Sequence, residues 1–386
     1  MPPVDNPTKS YWQIPHSLAS YRSPFPEEVD VVIIGSGITG VSVARTLYEH
    51  DPSLKVAILE ARQLCSGATG RNGGHIKPGT VRDFTNEASY HHWPHRTEKY
   101  GIAEAIKMSR FENAHPAALA RLSEKYNIDC DLQLLATVDA YYDQTGFERA
   151  TAATKAIEEY VPEIVHKIWT GKEAQERFRV SEKSVGAITY AAGQIWPYKF
   201  VTNIAEFLVD RGLNLQTNTP VTAVHNGMVE TPRGNIRGSK IVHATNGYVQ
   251  HLLPEFSIIQ PTRGHMTAQI TPKSLEKLGR TYSFIYEDGK FDYFIQHHDK
   301  LIFGGGYHED PQPTTYDDSD EPEMAQQYLL NQLPKVLRWE GEADPEKRLW
   351  MGWSGIMGFS EDGLPWVGNV SEGQFICAGY TGEGTI

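Results

Sequence analysis

The sequence predicts an α/β protein: one domain built on a βαβ unit and a second carrying a mixed or antiparallel β-sheet. Three observations carry this expectation. Val29 to Ile34 is a nearly continuous apolar run, as a parallel strand covered on both faces requires. Val41, Ala44 and Tyr48, with Val43 and Leu47, then recur at helical spacing until Asp51-Pro52 breaks the helix, and "LKVAILE" (54–60) is a second strand of the same kind. Between residues 263 and 306 the character changes to short runs, "GHMTAQI", "TYSFIYE", "FDYFIQ" and "KLIFGGG", separated by turn residues in the manner of antiparallel strands.

The other elements follow in chain order. Residues 1–28 are rich in Pro and Ser and lack an apolar signal-peptide core, so they read as an extended arm. Tyr100 to about Tyr126 is helical with an interruption expected at Pro116, and "FERATAATKAIEEY" and "KEAQERF" are further helices. "VTNIAEFLVDRG" is a helix closed by Gly212, "LNLQTNTPVTAV" is extended, "GSKIVHATNGY" is a strand ending in a turn, and "EMAQQYLLNQL" returns to helix.

Composition excludes several classes of function. The 386 residues are 40% apolar and 22% charged, ordinary for a globular chain, and a net charge of −12 gives no electrostatic help in binding nucleic acid or anionic membranes. Cys65, Cys130 and Cys377 are odd in number, far apart and match no metal spacing, which suits a reducing compartment. No apolar run reaches the ~18 residues of a membrane span. With no signal peptide and no peroxisomal tripeptide after "GEGTI", the expected location is cytoplasmic.

Gly35, Gly37 and Gly40 form G-x-G-x-x-G between the first strand and its helix. In a Rossmann unit the first glycine permits the tight turn, the second lets backbone approach a pyrophosphate, and the third lets helix and strand pack closely. Ser36, Ile38 and Thr39 complete the turn, and the phosphates belong at the helix N-terminus, where unpaired N–H groups and the dipole favour negative charge. Glu60 ends the second strand, twenty residues after Gly40, where a carboxylate can hold a ribose diol; Ala61 and Arg62 follow it. An adenine dinucleotide is the expected ligand, and glutamate at this place disfavours a 2′-phosphate.

"ARQLCSGATGRNGGHIKPG" comes next, where a nicotinamide-binding unit ordinarily continues into helix and strand. This loop, with Gly67, Ala68, Thr69, Arg71, Asn72, Gly73 and Gly74, resembles the second flavin-binding segment of the D-amino acid oxidase family of FAD-dependent oxidoreductases, in the amine and amino-acid oxidase branch. Three later stretches resemble the same family in order. "GAITYAAGQIWPYKFVTNIAEFLVDRGLNLQTNTPVTAV" is similar to its central segment, with Val221 beside the adenine; "KIVHATNGYVQHLLP" to its returning strand and turn, with Ala244, Thr245 and Gly247; and "WSGIMGFSEDGLPWVG" with "GQFICAGYTGEG" to its C-terminal cradle, with Gly379, Thr381, Gly382 and Gly384. The resemblance implies non-covalently bound FAD in a Rossmann-type FAD-binding domain made of residues 29–115, 185–260 and 345–386, with 116–184 and 261–344 forming a substrate domain. It also implies hydride transfer from a C–N bond of a small amine or amino acid to the flavin, hydrolysis of the imine, and O2 as acceptor giving H2O2.

Individual residues keep two readings each. Arg71 either stabilises the negative charge that gathers on the reduced cofactor or pairs with a carboxylate, and Asn72 either touches the cofactor or caps a turn. Arg263, His265, Tyr293 and Trp353 are candidates for the substrate face, with strand packing as the alternative for Tyr293 and core packing for Trp353. His91 and His95 stand four apart around Pro94 without a third ligand, and His297-His298 sits in an expected hairpin turn, so no metal site is expected. His75 follows the flavin loop, but covalent attachment is not expected, and the cysteine that sarcosine-oxidase-like enzymes use has no counterpart in "MGWSGIMGFSEDG". In the family "GYTGEG" leads into a helix pointing at the flavin, whereas here Thr385 and Ile386 follow directly. A dehydrogenase with another acceptor, and an FAD-binding remnant with little activity, are therefore the alternatives.

Overall fold

The computed structural model describes residues 1–82, 85–340 and 344–384; the side chains of 79–82, 85–89 and 91 lie outside the description. Two sheets organise the described residues. In the first, the strand Glu28–Ile34 lies between Val56–Leu59 and Gly234–His243, parallel to both, with Val31 opposite Val56 and Lys240. Asn214–Gln216 extends this parallel set on one side and Gln374–Ala378 on the other. Antiparallel strands at the edge, Met228–Thr231 and Ala223–His225 with Trp366–Ser371, bring the sheet to eight strands. The helix Ile38–His50 leaves the glycine turn with Val41, Ala44 and Tyr48 buried, the face that the helical spacing predicts.

The second sheet has nine strands and is mixed. Ile259–Ile270 pairs antiparallel with Leu349–Ser360 on one side and Lys300–Gly305 on the other, and Phe291–His297 and Arg280–Ile285 follow. Arg280–Ile285 then runs parallel to Gln133–Tyr141, a pairing the sequence did not indicate. Gly186–Gln194 and Leu349–Ser360, both read from sequence with the FAD-binding segments, are strands of this second sheet. Their cofactor-side neighbours in the chain carry the family-like motifs, and motif position does not determine which sheet a strand joins.

Pro116 does not interrupt its helix. Ile102–Tyr126 is one element with Pro116 buried inside it, on the face that also buries Leu119 and Ser123. Burial of the ring offsets the N–H bond that proline cannot make. The helices at Gln144–Tyr160, Gly171–Phe178, Pro197–Val209 and Glu323–Val336 match the sequence expectations within a few residues.

A single apolar cluster joins the sheets. Val31, Ile33 and Ile58 of the first meet Phe200 and Ile204 of the Pro197–Val209 helix, and Met266, Ile302 and Trp353 of the second. Trp12, from the N-terminal arm, is wholly buried in the same cluster. The arm therefore lies through the molecule: the Thr8 amide donates to the Asp318 carbonyl at 2.7 Å and that of Ser23 to the Leu215 carbonyl at 2.9 Å. No described helix is long and apolar enough to cross a membrane.

Candidate cofactor and substrate site

One cavity runs from the first glycine turn to the second sheet. Its near end is lined by Gly35, Ser36, Gly37, Ile38 and Thr39, by Glu60, Ala61 and Arg62, and by Val221, Ala244 and Thr245. Gly67, Ala68, Thr69, Arg71, Asn72 and Gly73 line the middle. The far end is closed by His75, Lys77, His265, Met266, Phe291, Tyr293 and Tyr307, with Gly382, Glu383 and Gly384 beside them. Thus segments more than 300 positions apart in the chain face one elongated space.

Glycine is required where chain meets chain. Gly35 has φ +109°, and a Cβ there would stand 2.5 Å from the Ala244 carbonyl oxygen. A Cβ on Gly40 would collide with the Gly35 carbonyl, so helix and turn approach only without side chains. The two glycine-rich loops are tied together: the Ile38 amide donates to Thr69 Oγ1 at 3.0 Å, supplying an acceptor at the helix N-terminus. Glu60 is held in place by Ser36, whose amide and hydroxyl donate to Oε2 at 3.0 and 2.7 Å, while the Arg62 amide donates to Oε1 at 2.9 Å. A carboxylate has about four acceptor positions, so these bonds leave room for a ribose diol.

Arg71 is committed to the protein. Its Nε donates to the Ser66 carbonyl at 2.8 Å, Nη1 to the Ser354 carbonyl at 2.9 Å and to Thr8 Oγ1 at 3.1 Å, and Nη2 to the Thr8 carbonyl at 2.7 Å. Burial lowers its pKa to about 10, against the pull of Asp318. Arg62 makes a two-pronged pair with that same carboxylate, at 2.8 to 3.1 Å. Asn72 closes a turn, accepting from the Gly74 amide at 2.9 Å, and its carbonyl accepts from Trp12 Nε1.

Among the four residues named for the substrate face, His265 and Tyr293 line the cavity. His265 is fully buried, its Nε2 lies 2.9 Å from Asp310 Oδ2, and burial lowers its pKa although Asp310 opposes the shift. The other two do not line it. Arg263 is turned into a two-pronged pair with Asp310, at 2.8 and 2.9 Å, and Trp353 sits in the core donating its Nε1 to the Arg71 carbonyl at 2.7 Å. Gly40, Gly74, Gly247, Gly379 and Thr381 also stand outside the lining and shape its walls instead: Thr381, at φ +48°, accepts from the Ser360 amide at 3.2 Å.

The sequence reading passed over several residues. Asn246, at φ +46°, accepts from the amides of Gly379 and Tyr380 at 3.1 and 3.4 Å and so fastens the returning turn to the C-terminal segment. Its signal was present, because asparagine is the side chain that tolerates left-handed backbone inside "ATNGY". Lys77 reaches the far end through Asp139 Oδ1 at 2.7 Å and Ser283 Oγ at 2.6 Å; a lone lysine carries no such signal.

The profile of a family described as "FAD dependent oxidoreductase" (DAO) matches residues 30–386. The chain belongs to this family. It is similar to a probable oxidoreductase OrdL of Rhizobium meliloti, 24% identical across 97% of this chain and 87% of that protein. It is likewise similar to the γ-glutamylputrescine oxidoreductase of Escherichia coli K12, 24% identical across 92% of this chain and 80% of that one. Among solved structures, glycine oxidase from Geobacillus kaustophilus superposes with a TM-score of 0.72 at 21% identity, covering 93% of this chain and 91% of that one.

The cofactor of this DAO-family protein is FAD, and the residues present fit it. Thr245 Oγ1, the Tyr248 hydroxyl and Thr262 Oγ1 are buried, line the cavity and have no hydrogen-bond partner among the described residues. Buried polar atoms of this kind suit a polar ligand, because leaving them unpaired is costly.

Proposed function

We propose that the protein oxidises a C–N bond of a small amino acid or amine and passes the electrons to O2. The observation that carries this reading is the far end of the cavity, where a cation, a buried neutral histidine and aromatic rings converge beyond the cofactor loops. The names of the relatives, an oxidoreductase of γ-glutamylputrescine and an oxidase of glycine, support the substrate class. Bound FAD supplies the acceptor for two electrons and a proton from the substrate carbon. Water then adds to the carbon that has lost hydride, releasing ammonia or an amine and leaving a carbonyl, while O2 takes up the electrons as H2O2.

Lys77 favours an amino acid over a plain amine. Its ammonium is positioned by Asp139 and Ser283, and of its three donors one remains to meet a substrate carboxylate. Phe291, Tyr293 and Tyr307 pack at 5.9 to 6.1 Å between ring centroids and exclude water from that end. Hydride leaves only from the uncharged amine, so a proton acceptor is needed. We assign that role to His265, which Asp310 holds through Nε2 and whose Nδ1 has no partner among the described residues.

The test is anaerobic mixing of the yellow holoprotein with amino acids and with primary and secondary amines. Bleaching by one class, followed by peroxide release in air, is the expected result. Bleaching without peroxide replaces O2 by another acceptor, and a flavin that no member of the panel bleaches overturns the reading. Lys77→Met raises KM for an amino acid substrate by about tenfold or more if the carboxylate meets the ammonium, and leaves KM for an amine unchanged.

A further inference from the structure

The turn between Phe291–His297 and Lys300–Gly305 brings three metal-ligating side chains together at one end of the second sheet. His297 and His298 have adjacent rings, 4.3 Å between centroids, and Asp131, just before Gln133–Tyr141, reaches both. Asp131 Oδ2 lies 3.5 Å from His297 Nε2 and 3.4 Å from His298 Nε2, and one ligand atom from each of the three falls within 4.8 Å of the others. The His298 separation is that of a long hydrogen bond and the His297 separation that of an ion-pair contact. Both match the edge of a tetrahedron with metal–ligand bonds of about 2.0–2.1 Å, which is about 3.3–3.4 Å.

We infer that Asp131, His297 and His298 form a binding site for a divalent first-row transition ion, of which Zn2+ is the representative. His297 provides an independent reason. It is 1% exposed, and among the described residues its Nε2 has no polar neighbour closer than Asp131 Oδ2 at 3.5 Å. Its other ring nitrogen, Nδ1, is 2.9 Å from the Tyr11 hydroxyl, and that contact fixes the ring as an outer partner fixes a metal-bound imidazole. His298 is 58% exposed on its side chain, so the fourth position opens to solvent and takes water. Two histidines with one carboxylate suit zinc, and nickel and copper follow from the general order of affinities.

Lys199 is the competitor. Its Nζ is 3.2 Å from Asp131 Oδ2 and also lies 4.2 Å from the centroid of the Trp196 ring. A metal ion and this ammonium cannot both sit on one carboxylate oxygen, and the flexible lysine stem lets the ammonium withdraw while the ion binds. The site is separate from the cofactor cavity, whose lining contains none of its three ligands. It joins the hairpin of the second sheet to the chain before Gln133 and, through Tyr11, to the N-terminal arm. Its role is thus to clamp these parts, and the clamp stabilises the fold by mass action.

The experiment is calorimetric titration of untagged, chelator-stripped holoprotein with Zn2+, together with thermal unfolding with and without the ion. One equivalent bound per chain and a raised midpoint are expected. His298→Ala and Asp131→Asn each remove a ligand, and affinity falls by more than the 10–100-fold that loss of an outer partner typically causes. His298 is exposed, so its alanine variant tests the site without disturbing the core. Lys199→Met binds more tightly than the unsubstituted chain. Zinc that fails to bind, or that binds equally well to both ligand variants, overturns the inference and leaves Lys199 as the cation of Asp131.

Discussion

At the scale of single residues, the site depends on backbone that other backbone touches. Gly35→Ala places a methyl group 2.5 Å from the Ala244 carbonyl at a φ of +109°, and the expected result is apoprotein that takes up no flavin on reconstitution. Gly368→Ala, on an open strand where a Cβ meets nothing within 4 Å, keeps its colour and serves as the control. Trp353 holds the cofactor loop through one bond to the Arg71 carbonyl, so Trp353→Phe preserves the ring but leaves a buried carbonyl unpaired. That change costs about 1–3 kcal/mol in urea unfolding and weakens FAD retention. Gly35, Gly37 and Glu60 stood out in the sequence by type and spacing and the Arg71 loop by its resemblance to the family, and all of them line the cavity. What Arg71 bonds was not legible. Its acceptors belong to Thr8, Ser66 and Ser354, and three of the four acceptor atoms are carbonyl oxygens that every residue possesses, so no side-chain type marks such a partner.

At the scale of elements, the strand Ile259–Ile270 carries Arg263 and His265 on the same face, and both meet Asp310. Asp310→Asn leaves a buried guanidinium without its counter-ion, at a cost of about 3–5 kcal/mol, and loosens His265. Urea unfolding checks the first effect; a displaced pH profile of kcat/KM checks the second. Two strands away, on Phe291–His297, Asp292 is buried and accepts from the hydroxyls of Tyr286 and Tyr328 at 2.8 and 2.9 Å. Burial pushes its pKa up to about 7 despite those donors, from 3.8. A raised carboxyl pKa means that the folded state holds the proton more tightly, so this contribution is full below about pH 4 and is lost as pH rises through 7. The loss is on the order of 4 kcal/mol, and Asp292→Asn flattens that part of the profile in thermal unfolding between pH 4 and 8. Both strands were read correctly from their alternation and bounding turns. The strand Gln133–Tyr141 was missed: Thr137 and Asp139 alternate with Val138 and Ala140 as on a half-exposed strand, yet all five of its last residues are buried, so its polar positions face the interior instead of solvent.

At the scale of the whole molecule, the first sheet and its glycine turn line one part of the cavity and the second sheet lines the rest, with one apolar cluster running between the sheets. The outline was legible because local patterns specify local units: a βαβ unit at one place and hairpins at another. The partition of the chain between sheets was not, since Gly186–Gln194 and Leu349–Ser360 join the second sheet through partners as distant as Gln133 and Ile259. Long-range pairing of this kind leaves no mark within the pairing strand itself.

The N-terminal arm contains little regular structure, and routine trimming of the chain to Glu28 would discard it as a dispensable leader. Its route through the interior argues against doing so. Removing it takes both Thr8 acceptors from the Arg71 guanidinium, empties the place of Trp12 among the packed side chains and frees the carbonyl of Asn72. A protein shortened in this way is expected to be recovered colourless or insoluble, so residues 1–27 belong in any recombinant version intended to hold the flavin.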